Sequence, residues 1–156
     1  MHKRSKLKEA RHFLGRMHAE QDNPDAFARE LSAFLTASRS VLQYAHKEAV
    51  PKPGGQQWYD QAIANPLFAY FKDLRDDNIH AFPIRPLTRT QTVRAGFLNI
   101  GDEDDEMLIP YPHDTIVRRY EFQDRAGEDV LDLCQQYLGA LESLVDNGVT
   151  AGWITD

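Results

Sequence analysis

Apolar residues recur every three or four positions over most of this 156-residue chain, which is the spacing of one helical face. The first such run covers residues 6–17. Asn23 and Pro24 then supply an N-cap and a proline at the first helical position, and the pattern continues until Pro51. The spacing therefore predicts a short first helix and a second helix of about 24 residues, roughly 36 Å long.

Two shorter helical segments are predicted after the long helix. A Pro-Gly-Gly break at residues 53–55 precedes the third segment, and Asn65-Pro66 restarts the helical pattern for a fourth. Pro83 and Pro86 end this helical half of the chain, because proline does not continue a helix.

Residues 87–122 differ from the rest because they are rich in β-branched and aromatic side chains, which favour strands. We expect two strands in this part of the chain. They flank a run of five consecutive acids at residues 102–106 and a Pro-Tyr-Pro turn at residues 110–112. A hairpin with a long loop, laid against the helices, fits this pattern better than an independent domain.

Helical periodicity returns over residues 126–147, and Asn147-Gly148 is typical of a helix end. The predicted fold class is mainly α, namely a helical bundle with a β-hairpin insertion and a C-terminal helix. A chain of this length buries enough surface to form a core without disulfides. We expect a single domain over residues 1–156, made of a helical part (1–82), a hairpin-like insertion (83–125) and a final helix (126–148).

Composition and charge exclude several classes of protein. The single cysteine provides neither an internal disulfide nor a thiolate cluster for zinc, so we expect no metal and no cofactor. No apolar stretch suits a secretory leader or a membrane span, which predicts a cytoplasmic protein without membrane association. The net charge is −6, and residues 1–18 carry +5, so the acidic remainder argues against non-specific binding to nucleic acid. A solvated helix face is favoured over a phosphate-facing element for the basic start.

The segment RDDNIH at residues 75–80 is the strongest candidate for chemistry. The planar fork of an arginine can hold a phosphate in two parallel bonds, and a histidine exchanges a proton near neutral pH. In metal-independent RNA cleavage, His80 would deprotonate the 2′-hydroxyl or protonate the leaving 5′-oxygen. Arg75 would stabilise the negative charge on the pentacoordinate phosphorus.

This segment, on a short helix that follows a long one, resembles the Arg-x4-His signature of HEPN domains. Arg75, Asp76 and His80 match that pattern position by position, and residues 27–42 resemble the long helix of bacterial HEPN-like proteins. The resemblance covers about residues 5–82. It implies an α-helical domain that dimerises through its helices and, in many members, cleaves RNA in toxin–antitoxin or antiphage systems. Other members are catalytically silent, and the β-like insertion departs from the usual layout.

From these observations we expect a homodimer that acts as a metal-independent endoribonuclease of a toxin or stress-response system. Arg75 and His80 are the expected catalytic residues, and Arg39, Asp76 and Asn78 are the expected supporting or phosphate-binding residues. RNA is the expected substrate and an antitoxin the expected protein partner. The alternative is a non-catalytic helical dimer that binds a protein partner or a nucleotide. Dimerisation is expected because the long helix has apolar positions over more length than the third and fourth helices can cover.

The spacing of the motif leaves two questions open. Arg11 and His18 also fit the pattern, although they lie in the first helix. On an ideal helix, His80 lies about 140° around the axis from Arg75, so one chain presents both on one face only if the helix frays. A site assembled across a two-fold axis removes that requirement.

Structural roles compete with each functional assignment. Arg75 is also suited to an ion pair with Asp76 or another nearby acid, and Asn78 and His80 to a polar helix end. For Arg39, a salt bridge that fixes helix packing is favoured over a phosphate contact. The remaining candidates are better explained as loop or core residues: the acids at 102–106, His113-Asp114, Cys134, and the group Ser38, Ser40 and His46.

Overall fold

The structure, a computed structural model, describes residues 2–80, 84–93, 96–99, 108–111 and 115–156. These residues form a mainly helical fold with a hairpin and a C-terminal helix, as the sequence predicts. The helices are α1 (His2–Ala19), α2 (Pro24–Ala49), α3 (Gly55–Ala62), α4 (Pro66–His80) and α5 (Val130–Thr150). The strands are β1 (Leu87–Val93), β2 (Gly96–Asn99), β3 (Leu108–Tyr111) and β4 (Thr115–Glu121).

Helix α2 is the central element of the bundle, and α1, α3, α4 and α5 all pack on it. Its N-terminus is capped as predicted, because the Asn23 side chain accepts a hydrogen bond of 3.1 Å from the Ala26 N–H and Pro24 stands at the first helical position. The helix runs for 26 residues, close to the expected length.

The apolar face of α2 is covered within one chain. Phe27, Leu31, Phe34 and Val41 are all fully buried. Helices α1 and α5 cover positions that α3 and α4 alone do not reach. The expected uncovered apolar stripe is therefore wrong for the described length of α2, and the homodimer stays a prediction without that argument.

Basic side chains of α1 pair with acids elsewhere in the bundle. Lys3 bonds to Glu48 of α2, and Arg11 bonds to Glu142 of α5. Arg16 also reaches an acid outside its helix, Glu30 of α2, at 3.5 Å. Positive charges of α1 are therefore paired with negative charges of α2 and α5 in the same chain.

The hairpin consists of two short antiparallel ladders, in which β1 pairs with β4 and β2 pairs with β3. The predicted antiparallel hairpin is confirmed, with β1 and β2 described in its first arm and β3 and β4 in its second. Pro110 lies in β3 opposite Phe97, so the turn predicted at residues 110–112 is wrong for Pro110 and Tyr111. Both strands of a two-stranded ribbon are edge strands, where the missing N–H of a proline can face away from the partner. The acidic run 102–106 lies outside the described residues.

The base of the hairpin is anchored to the bundle by aromatic residues. Tyr120 of β4 stacks on Phe27 of α2 with ring centroids 3.8 Å apart, and its hydroxyl donates to the Gln21 carbonyl at 2.6 Å. Phe122 is buried against Tyr70 and Phe71 of α4. These contacts hold the end of β4 against α2 and α4, and the bond from Arg85 to Asp25 places the segment that follows α4 beside the first turn of α2.

Helix α5 begins later and ends later than the sequence predicts. Asp129 caps it by accepting a bond of 2.8 Å from the Leu131 N–H. Gly148 lies inside the helix and not at its end. A glycine fits there because an added Cβ would lie 2.7 Å from Cζ2 of Trp58. Cys134 is fully buried in the core, as predicted, and burial raises the pKa of its thiol.

Candidate functional site

Arg75 lies on α4, where its side chain is 23% exposed. Its Nη1 donates to Oδ1 of Asp76 at 3.1 Å, which is the ion pair considered from sequence. Its Nε is buried and has no hydrogen-bond partner within the described part of the chain. The hydrogen bond from Arg75 lowers the pKa of Asp76, because it stabilises the charged carboxylate. Arg75 therefore carries a charge that its own neighbour partly balances.

His80 is the last residue of α4 and is exposed. Its imidazole makes no hydrogen bond or ion pair with any residue that the structure describes. The helix does not fray before His80, so the angle of about 140° between His80 and Arg75 applies. One chain therefore does not bring the two predicted catalytic residues to a common face.

Asn78 does more than end a helix with a polar side chain. Its Nδ2 donates to Oγ of Ser32 on α2 at 2.7 Å, and its Oδ1 accepts from the Ile84 N–H at 2.9 Å. Asn78 thus ties the end of α4 both to α2 and to the segment leading into the hairpin. Its amide positions neighbouring groups by these two bonds.

Arg39 lies half-buried on α2 and lines a depression of about 290 Å³ between α2, α3 and α4. The salt bridge expected for Arg39 is not found among the described residues. The hydroxyl of Tyr59 is its polar neighbour: burial raises the pKa of this phenol, and the Arg39 charge opposes that rise. Lys72 of α4 lines the same depression and also bonds to Asp76 at 3.3 Å. Arg39 and Lys72 therefore place two cations at the seam between α2 and α4.

A second depression, which we call the Arg29 groove, lies at the other end of the same seam and has a volume of about 520 Å³. Its lining residues are Asp25, Ala28, Arg29, Ser32, Asn78, Ile84 and Arg85. Sequence reasoning missed this groove because Arg29 and Arg85 are far apart along the chain. The one local signal is that Arg29 precedes Ser32 by three residues, which makes the two neighbours on the surface of α2.

The remaining candidates gain no support from the described residues. Within those ranges, no group of histidine, cysteine or acidic side chains could hold a metal ion. Ser38 is fully buried, and the Ser40 hydroxyl donates to the Thr36 carbonyl at 3.0 Å, so neither is arranged as a nucleophile. His113-Asp114 lies outside the described residues. Among the helices that the structure describes, none has the length and apolarity to cross a bilayer.

No protein-family model matches this chain, and neither does any curated protein or solved structure. The resemblance to HEPN domains therefore depends on the residues themselves.

Proposed function

We propose that this chain is a HEPN-like protein that cleaves RNA without a metal ion, at a site completed by a second copy of the chain. The observation that carries the proposal is the position of His80. It ends α4 five residues after Arg75, and its imidazole is exposed and without a partner among the described residues. Such an imidazole is accessible to a bound ligand and is placed to act as a general acid or base.

The second copy follows from the geometry of α4. Because Arg75 and His80 lie about 140° apart around the helix, the two side chains of one copy do not face the same phosphate. A two-fold axis beside α4 would bring Arg75 of one copy toward His80 of the other. Such an axis would also place two imidazoles near one phosphodiester, one for each proton transfer.

The reaction that these groups suit is attack of the RNA 2′-oxygen on the adjacent phosphorus. One imidazole takes the 2′-hydroxyl proton as the new P–O bond forms. The second, in its protonated form, gives a proton to the 5′-oxygen as the old P–O bond breaks. The Arg75 guanidinium stabilises the phosphorane oxygens, whose negative charge is greatest in the transition state. The products are a 2′,3′-cyclic phosphate and a 5′-hydroxyl, with no metal or redox partner needed.

A non-catalytic helical protein that binds a protein partner or a nucleotide is the second candidate. The specific observation in its favour is the bond between Arg75 and Asp76 together with the buried Nε of Arg75. In that case Arg75 stabilises the packing of α4 and does not touch a ligand.

The deciding experiment measures RNA cleavage in EDTA by the wild type, Arg75→Ala and His80→Ala. The chain provides its own control, because Arg11 and His18 have a similar spacing on α1. We expect each variant of the motif on α4 to lose about 100-fold or more in rate, whereas Arg11→Ala and His18→Ala keep wild-type cleavage. Equal cleavage by all five proteins, with unchanged thermal melting, would remove Arg75 and His80 from the mechanism and favour the binding protein.

A further inference from the structure

The Arg29 groove is lined by side chains that can donate hydrogen bonds to phosphate oxygens. Arg29 and Ser32 of α2 line it together with Asn78 of α4 and Arg85 of the following segment. Two guanidinium groups provide charge and forked N–H donors, and a hydroxyl and an amide provide neutral polar atoms. Arginine, serine and asparagine side chains are also among those that contact the backbone of nucleic acids.

Arg29 is the groove residue best able to bind an anion. Its side chain is exposed and has no carboxylate partner among the residues that the structure describes. Arg85 does have a partner, since its Nη1 lies 2.8 Å from Oδ1 of Asp25. Both side chains of that pair are at least 70% exposed, and exposed pairs of this kind hold each other weakly. Arg85 can therefore exchange the carboxylate for a phosphate oxygen.

The neutral groups of the groove are held in position before any ligand binds. The Ser32 hydroxyl oxygen accepts the bond from Asn78, so its own hydrogen remains available for donation. The Ile84 N–H fixes the Asn78 side chain from the other side. A preorganised donor costs less conformational entropy on binding than a mobile one.

The groove lies on the Arg75 side of α4. Asn78 follows Arg75 by three residues, so on an ideal helix the two lie about 60° apart around the axis and about 4.5 Å apart along it. An RNA strand with a phosphate in the groove would therefore pass the same side of α4 as Arg75. This placement connects the groove with the cleavage chemistry proposed for that helix.

We propose that the Arg29 groove binds a backbone phosphate of single-stranded RNA, with Arg29 as the principal contact and Ser32 and Arg85 as additional donors. The inference rests on the proposed function and gives it a substrate-binding site outside the catalytic pair. Asp25, at the edge of the groove, weakens this binding through its negative charge.

The test measures the affinity of the full chain for a short fluorescein-labelled single-stranded RNA by fluorescence anisotropy. His80→Ala serves as the background, in EDTA, so that the RNA stays intact. In this background we expect Arg29→Ala to weaken binding about fivefold and Arg29→Lys to weaken it less. The slope of log affinity against log salt should fall in magnitude by about 0.7 for Arg29→Ala, because one phosphate contact is lost. Asp25→Asn should strengthen binding.

Lys8→Ala is the matched control, since it removes one exposed positive charge of a helix that does not line the groove. Equal weakening by Lys8→Ala and Arg29→Ala would overturn the proposal, and so would RNA binding that does not respond to Arg29→Ala. Inorganic phosphate, added as a competitor, should displace the RNA only weakly if the strand is the ligand. Displacement at equal concentration would show a site for free phosphate and overturn the assignment to RNA.

The outcomes also separate this inference from the proposed function. RNA binding that depends on Arg29, without any cleavage by the wild type, would support the groove and reject the nuclease. Cleavage that depends on Arg75 and His80, with no effect of Arg29→Ala on binding, would keep the nuclease and reject the groove. Failure of the chain to bind RNA at low salt would reject the groove outright.

Discussion

Ser38 is a buried polar residue whose hydroxyl oxygen has no hydrogen-bond partner among the described residues. Leaving a hydroxyl unsatisfied in the core is unfavourable, and alanine has the higher helix propensity. We therefore expect Ser38→Ala to raise the free energy of unfolding by about 1 kcal/mol, measured by urea denaturation. The control is Ser40→Ala, where the Ser40 hydroxyl donates to the Thr36 carbonyl at 3.0 Å and the change should be small. A loss of stability in Ser38→Ala would show that the hydroxyl is satisfied after all.

Individual site residues could be predicted from sequence only where their partners are close along the chain. The pair of Arg75 and Asp76 is adjacent, so their ion pair was one of the expected alternatives, and the structure contains it. The bond between Asn78 and Ser32 joins residues on two helices and has no local signal. For Arg29 the spacing to Ser32 is a weak local signal, and its position in the groove depends on how α2 and the segment after α4 pack together.

At the scale of elements, a glycine inside a helix can mark a close contact between two elements. Gly148 and Gly139 both lie in α5, but an added Cβ would lie 2.7 Å from Trp58 at Gly148 and meets nothing within 4 Å at Gly139. We expect Gly148→Ala to destabilise the protein by about 1–3 kcal/mol through overpacking. Gly139→Ala should stabilise it by about 0.5–1 kcal/mol through helix propensity. Thermal and urea unfolding would measure both, and an unchanged stability in Gly148→Ala would mean that Trp58 moves aside freely.

The helices were predictable because each has its own periodicity, its own cap or both. Asn23 and Pro24 begin α2 in the structure as they do in the pattern. The hairpin was less predictable, since its pairing is set between distant residues and not within either strand. Pro110 illustrates the difference: it resembles a turn residue in sequence, whereas its place opposite Phe97 makes it a strand residue.

At the scale of the molecule, an ion pair between a buried lysine and a partly exposed glutamate joins α1 to α2. The Lys3 side chain is 4% exposed and pairs with Glu48. Burial raises the pKa of Glu48, but the hydrogen bonds from Lys3 and from the Thr155 N–H outweigh it and lower that pKa to about 2. Since the usual value is 4.5, this stabilisation is complete above about pH 4.5 and is lost as the pH falls toward 2.

Replacing Glu48 leaves the Lys3 ammonium buried without its partner. We expect Glu48→Gln to lower the free energy of unfolding by about 3 kcal/mol at neutral pH, and the difference from wild type to shrink in acid. Urea denaturation at several pH values measures this. Glu9→Gln is the control, because the pair of Glu9 with Lys6 is more exposed and contributes little. A difference between wild type and Glu48→Gln that stays constant from neutral to strongly acidic pH would contradict the assignment.

The need for two copies is the property of the whole molecule on which the proposed nuclease depends. If the two copies share one site that uses both imidazoles, a mixed dimer of a wild-type chain and a His80→Ala chain lacks one of the two proton-transfer groups and should be inactive. An equal mixture of the two chains that exchanges subunits freely holds about a quarter wild-type dimers, so cleavage should fall to about a quarter of the wild-type rate. Mixing of the two chains, followed by the cleavage assay in EDTA and light scattering for the mass, tests this. Cleavage at half of the wild-type rate would show that each chain acts with its own His80 alone and would contradict the shared site. Cleavage by a protein whose mass in light scattering is that of one chain would reject the requirement for a second copy.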